Sequence, residues 1–114
     1  LYFTPVNWHL QEDEVHYILD NCDAQAFIAH AAFGDIAARA AASVPRLRLK
    51  LSVGGAIAGF DAIEERLAAM PADRPLGEEL EGSFMLYSSG TTGRPKGVRR
   101  ALTGLPAGDF TANA

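Results

Sequence analysis

Cysteine is nearly absent from this sequence. A lone thiol, Cys22, cannot close an intramolecular disulfide, and metal clusters built on several thiolates are excluded with it. Its expected role is that of a small buried hydrophobe at the end of a helix. Long apolar runs are missing too. No stretch approaches the ~20 residues needed to span a bilayer, and no charged-then-apolar signal segment opens the chain. A cytoplasmic protein with no transmembrane segment is the resulting expectation. Basic charge is in short supply: 10 Lys and Arg stand against 14 Asp and Glu, a formal net charge of -4. Nucleic-acid binding calls for a basic face, so that class of partner is disfavoured. The local basic group Arg94, Lys96, Arg99 and Arg100 suits a compact anion better than a long polyanion.

Two catalytic patterns are also lacking. No Gly-x-Ser-x-Gly elbow occurs, and Ser88-Ser89 has no base partner in sequence, which rejects a serine hydrolase. His9, His16 and His30 are widely spaced, and none stands at metal-ligand spacing from a cysteine or another histidine. Surface or packing roles are expected for all three, and solvated positions for Glu64, Glu65, Glu78, Glu79 and Glu81.

What is present is enough to fold. The 114 residues give room for one domain at most. With 48% hydrophobic residues there is apolar surface to bury, which argues against disorder of the whole chain. The sequence begins at Leu1, already inside a patterned segment, which suggests an internal piece of something longer.

The pattern alternates between helix and strand. Leu1 to Leu10 reads as extended or loop. Glu12, Asp13 and Glu14 make an acidic first turn suited to the positive end of a helix dipole. Val15, Ile18, Leu19 and Cys22 then form one apolar stripe, with Asn21 and Asp23 as terminators. Ala26–Ala29 reads as a buried strand, and the alanine-rich stretch from Phe33 to Ser43 as a helix stopped by Pro45. Leu47, Leu49, Leu51 and Val53 alternate with polar residues, the period of a strand with one covered face, ended by Gly54 and Gly55. Asp61 and Glu64 have capping-box spacing before a helix through Phe60, Ile63, Leu67 and Met70, closed by Pro71. A surface loop follows to Gly82, and Phe84–Tyr87 reads as a central strand. No element is expected beyond Val98. The order helix, strand, helix, strand, helix, strand, loop predicts an α/β layer fold.

The segment after that last strand carries the chemistry. It reads Tyr87-Ser88-Ser89-Gly90-Thr91-Thr92-Gly93-Arg94-Pro95-Lys96-Gly97-Val98. Glycines let backbone N–H groups curl close to a phosphate. The Ser and Thr hydroxyls add donors, and Lys96 adds a point charge on a flexible stem. The loop fails the P-loop test, because Lys96 lies between Pro95 and Gly97 with no Ser or Thr after it. It fails the dinucleotide fingerprint as well, since Gly90, Gly93 and Gly97 do not give G-x-G-x-x-G.

This segment resembles the signature of the adenylate-forming superfamily: acyl- and aryl-CoA synthetases, firefly luciferase and the adenylation domains of peptide synthetases. The family form is Tyr-[Ser/Thr]-Ser-Gly-Thr-Thr-Gly-x-Pro-Lys-Gly-Val, and residues 87–98 match it throughout, with Arg94 at the variable place. Upstream, Thr4-Pro5-Val6-Asn7-Trp8-His9-Leu10, then Asp13-Glu14 and Tyr17-Ile18-Leu19, is similar to the corresponding stretch of bacterial fatty-acyl-CoA synthetases. Gln11 departs from the family's usual Thr or Ser before the helix, a matter of capping and not of catalysis.

The resemblance implies an α/β fold, a partial set of layers from the large N-terminal domain, with residues 1–114 a fragment of that AMP-binding domain and the C-terminal domain absent. It implies that Ser88, Ser89, Gly90, Thr91, Thr92 and Lys96 contact the phosphates of ATP, that one threonine hydroxyl sits near Mg2+, that Gly93 and Gly97 shape the loop and that Pro95 stiffens it. The implied reaction joins a small-molecule carboxylate to AMP with loss of pyrophosphate, then passes the acyl group to coenzyme A. The adenine, ribose and acyl contacts and the catalytic lysine of the C-terminal domain would belong to the missing remainder of the enzyme. No catalytic residue and no resident metal ligand are expected here, and the isolated chain is expected to be inactive. Two alternatives stay open: an adenylation domain of a peptide synthetase (or a luciferase-like oxidase), and a non-catalytic truncated relic or interaction fragment.

Overall fold

A computed structural model describes residues 1–73, 77–88 and 94–108. Its elements run β1 (Tyr2–Phe3), α1 (Glu12–Asn21), β2 (Ala26–His30), α2 (Gly34–Ala42), β3 (Leu49–Val53), β4 (Asp61–Ala62), α3 (Ile63–Ala68), β5 (Ser83–Ser88) and β6 (Lys96–Arg99). The α/β class expected from the alternation is the class observed. Two compact units are distinguished: Val6–Ala72, and Leu1–Pro5 together with Asp73–Ala114.

The unit Val6–Ala72 is built on a parallel sheet of order β2-β3-β4. Helix α1 starts where the acidic turn places it. Gln11 precedes it in extended conformation, and its N–H donates to the Glu14 carboxylate at 3.1 Å. That bond is the backward-reaching half of a capping box, so the helix start tolerates Gln where Thr or Ser would be usual. Val15, Ile18 and Leu19 are buried, and Cys22 is only half-buried at the helix end. Asp23 then takes the left-handed conformation with φ 55°, which stops the helix.

Helix α2 follows a single 3-10 turn over Ala31–Phe33. Ala37, Ala40 and Ala41 are buried against Val15, Leu19, Phe27 and Val44, and Phe60, Leu47 and Leu10 pack around this core. Small residues on α2 are what lets its backbone approach α1 closely. Strand β3 departs from expectation. Its alternation predicts one covered face, yet the adjacent residues Leu51 (8% exposed) and Ser52 (0%) are both buried. As the middle strand, β3 is covered on both faces, as parallel strands are.

The capping box expected at Asp61 and Glu64 does not form. Asp61 sits in β4 and its carboxylate pairs with Arg66 at 2.6 Å, while the Glu64 carboxylate accepts from the Gly54 N–H at 2.8 Å. Helix α3 is short, and Leu67 on it and Met70 beyond its end are exposed rather than packed.

The other unit holds a mixed sheet of order β1-β5-β6. β5 is central in the strand order, parallel to β1 and antiparallel to β6, but it is not the covered apolar strand the sequence predicts, since Phe84 and Leu86 are more than half exposed. Residues 79–81 and 105–107 add two backbone bonds: the Glu81 N–H donates to the Leu105 carbonyl and the Ala107 N–H to the Glu79 carbonyl, each at 2.8 Å. Strands β1, β4 and β6 lie outside the elements expected from sequence.

Candidate phosphate-binding site

The loop signature is anchored at both ends by strands. β5 ends at Ser88 and β6 begins at Lys96, and these two residues are direct cross-strand partners. The Ser88 hydroxyl lies 3.5 Å from the Lys96 carbonyl oxygen, at the outer limit of a hydrogen bond. Both residues are exposed. The expected phosphate ligands Ser89, Gly90, Thr91, Thr92 and Gly93 lie outside the described residues. Of the sequence-predicted site residues, the structure therefore brings Ser88 and Lys96 together.

Residues directly opposite in an antiparallel pair project to the same face. Ser88 and Lys96 thus share a face with Leu86 and Val98, while Met85, Tyr87, Gly97 and Arg99 share the other. Lys96 enters no ion pair among the described residues, where the pairs are Arg39–Glu12, Arg46 with Asp20 and Asp23, and Arg66–Asp61. Lys96 is thus an exposed cation with no ion-pair partner among the described residues, on the same strand face as Ser88. Arg99 is differently engaged: its guanidinium lies 5.2 Å from the centre of the Tyr2 ring, and the Tyr2 hydroxyl donates to the Arg100 carbonyl. Arg94 is exposed and Pro95 half-buried.

The histidines have local tasks. The Nδ1 atom of His16 lies 3.0 Å from the Ser43 hydroxyl and 3.2 Å from the Ala40 carbonyl. The Nδ1 atom of His30 accepts from the Ala32 N–H at 3.0 Å, capping the 3-10 turn. The His9 ring is stacked on Trp8 with centroids 3.5 Å apart. Among the described residues no group of His, Cys, Asp and Glu is placed to hold a metal ion, and no helix is long and apolar enough to cross a membrane.

Sequence reasoning missed two things. One is strand β6, which fixes where Lys96 stands; the available signal was the short strand-compatible run Lys96-Gly97-Val98-Arg99. The other is Glu64, expected to be merely solvated. Its carboxyl is held below the usual carboxylate value, first by the Gly54 N–H, then by its own backbone N–H and the charge of His30, against some desolvation.

Comparison with known proteins bears on this arrangement. The chain matches the family described as AMP-binding enzyme over residues 1–103. The medium-chain acyl-CoA ligase Mig of Mycobacterium avium is 35% identical over 102 residues, covering 82% of this chain and 18% of that protein. The 4-hydroxybenzoate–CoA/benzoate–CoA ligase of Rhodopseudomonas palustris is 32% identical over 99 residues, with the same coverage of 82% and 18%. The crystal structure of the anthranilate CoA ligase AuaEII in complex with anthranoyl-AMP superposes with a TM-score of 0.72 at 27% identity, covering 85% of this chain and 19% of that one. The chain thus spans about a fifth of the length of these relatives. A signature that resembles an adenylate-forming loop, set between paired strands of an α/β fold, and a family match over residues 1–103 agree: the chain belongs to the AMP-binding enzyme family.

Proposed function

We propose that this chain supplies the phosphate-gripping segment of an ATP-dependent, AMP-forming carboxylate–CoA ligase. The observation that carries the reading is the opposition of Ser88 and Lys96 at the two ends of the signature loop, with the Lys96 ammonium exposed and outside any described ion pair. In this reading residues 1–114 belong to the AMP-binding N-terminal domain of a cytoplasmic enzyme. Lys96, the hydroxyls of Ser88, Ser89, Thr91 and Thr92, and the backbone at Gly90 and Gly93 hold the ATP phosphates. One threonine stands near the Mg2+ that accompanies the nucleotide.

The chemistry follows from where charge develops. When a carboxylate displaces pyrophosphate from ATP, negative charge grows on the leaving group. A fixed cation and hydroxyls aimed at it favour that change more than they favour the ground state. Coenzyme A then takes the acyl group as a thioester. The names of the relatives support a CoA ligase over a peptide-synthetase domain: those reported above act on medium-chain, benzoate and anthranilate acids, so the carboxylate is drawn from aliphatic or aromatic acids.

The isolated 114 residues are a weak ATP binder in this reading, with no ligase activity. Even a Kd of 1 mM takes roughly -4 kcal/mol net, and an exposed Ser88–Lys96 pair competes with water for every bond it makes.

The test is ATP–pyrophosphate exchange by the protein in its natural full length, against a panel of medium-chain, long-chain and aromatic carboxylates. Exchange is expected with at least one of them, falling about 10²–10³-fold in Lys96→Ala. Silence across the whole panel defeats the enzyme reading and favours the non-catalytic one. Exchange that survives Lys96→Ala intact defeats the site. Thioester formation on adding CoA separates the ligase from a peptide-synthetase domain.

A further inference from the structure

We propose that Tyr87 and Gly97 form a cross-strand lock that determines which face of the β5–β6 hairpin carries Lys96, so that Gly97 is a positioning residue for the phosphate site. The lock itself stands on geometry, and its consequence for phosphate binding rests on the function proposed above.

Tyr87 and Gly97 are direct partners in the antiparallel register. A Cβ built on Gly97 would lie 2.6 Å from the Met85 methyl carbon, 3.0 Å from the Tyr87 Cζ and 3.2 Å from the Tyr87 hydroxyl oxygen. The ring and the methyl group therefore lie over the bare Cα of Gly97. Gly97 is not among the residues with positive φ, so the backbone does not call for glycine there. Strand propensity argues against it, because glycine inside a strand offers no side chain to pack. The close approach of the ring is what accounts for the missing side chain.

The consequence is one of register. Side chains alternate along a strand, so a slip of one residue carries every side chain to the opposite face. Lys96 now shares the face of Ser88; after a slip it would share the face of Tyr87. Of the four residues in β6, Lys96, Gly97, Val98 and Arg99, Gly97 alone brings no side chain against the ring. The observed register is thus the one that leaves the ring in place. Arg99 over the Tyr2 ring and the Tyr2 hydroxyl on the Arg100 carbonyl fasten the far end of β6 in the same register.

Gly97→Val gives the lock a sharp test, because two accounts predict opposite signs. If Gly97 is merely a weak strand residue, valine strengthens the strand and exchange is unchanged or improved. If the lock holds, valine displaces the Tyr87 ring and misplaces Lys96. In the natural full-length protein, kcat/KM for ATP in pyrophosphate exchange then falls about 10²-fold, mostly through KM. Tyr87→Ser added to Gly97→Val makes room for the new side chain and is expected to recover at least a tenth of wild-type exchange. Loss with no recovery in that double variant, or no loss in the single one, overturns the proposal.

A second measurement does not depend on catalysis. In glycine-labelled full-length protein, the signal that vanishes in Gly97→Val is that of Gly97. Its Hα resonance is expected upfield of the ordinary glycine range, under the Tyr87 ring current, and to return to that range in Tyr87→Leu. A Gly97 signal indifferent to Tyr87→Leu refutes the lock. If wild-type protein exchanges nothing, the proposed function fails while this signal still decides the lock. If Lys96→Ala abolishes exchange and Gly97→Val does not, the lock fails while the function stands.

Discussion

The two units of this chain solve different problems. In Val6–Ala72 two helices press alanine and branched side chains onto a parallel sheet, and the buried core and all the described ion pairs lie there. The strands around the signature loop expose their apolar residues instead: Phe3, Phe84, Leu86 and Val98 are each more than half exposed. Hydrophobic burial supplies most of what favours folding, and it is non-directional. Strand register is directional, and in the second unit it is register that places Ser88 opposite Lys96. The buried core described here lies in one unit and the strand pairing that places Ser88 and Lys96 in the other, so substitutions in the two should fail in different ways.

The largest contrast is between Leu19 and Lys96. Leu19 is 3% exposed, within the cluster of Val15, Phe27, Ala37, Ala40, Ala41 and Val44. Leu19→Ala should lower stability by about 2–5 kcal/mol, since the tight alanine packing around it leaves little room to collapse into the cavity. Urea unfolding followed by circular dichroism reads this directly. Lys96→Ala, on an exposed strand end, should change stability by no more than about 0.5 kcal/mol while reducing pyrophosphate exchange as described above. A Lys96→Ala variant that unfolds as easily as Leu19→Ala would erase the distinction between the units.

The same distinction governs what was legible in the sequence. Helix α1 was readable because its acidic turn and its apolar stripe are local, although Gln11 gave no usual cap signal. Strand β3 was readable as a strand, but its two-sided burial was not, because it depends on the place of β3 between β2 and β4, which alternation does not reveal. Strands β1 and β4, of two residues each, are shorter than any period that alternation can reveal. At Asp61 and Glu64 the spacing of a capping box was present, but Arg66 and the Gly54 N–H offered competing partners and took both carboxylates. The residue types of the phosphate loop were legible because their order is specific. The face on which Lys96 stands was not, because it depends on β6 pairing with β5.

Ser52 sharpens the comparison on a smaller scale. It is fully buried, and its hydroxyl has no hydrogen-bond partner among the described residues. A buried hydroxyl left unpaired costs roughly 1–3 kcal/mol. Ser52→Ala removes that cost at the loss of one atom of packing, so a gain of about 1 kcal/mol is expected in the urea midpoint. A loss instead would mean that the hydroxyl finds a partner in solution. On the exposed hairpin, Ser88→Ala should leave the midpoint unmoved, because that hydroxyl is exposed and its contact with the Lys96 carbonyl is at the outer limit of a hydrogen bond.

The smallest expected effect is a pH dependence at the end of the parallel sheet. Gly54 turns the chain out of β3 with φ 73°, and its N–H is bound by the Glu64 carboxylate rather than by a neighbouring strand. That hydrogen bond, with the Glu64 N–H and the charge of His30 acting in the same direction, holds the carboxyl below its ordinary value. A carboxyl whose pKa is lower folded than unfolded stabilises the fold fully above the unfolded value of about 4.3. The contribution declines as pH falls below that value and is gone once pH has passed the lowered folded one. Urea midpoints measured from pH 7 downward should therefore fall further in wild-type protein than in Glu64→Gln, whose amide can accept the Gly54 N–H without titrating. The two curves should separate at neutral pH and approach each other in acid. Because the group is exposed, the separation should be small. Curves that stay parallel throughout would mean that Glu64 carries no linkage and that the turn after β3 is held by the left-handed glycine alone.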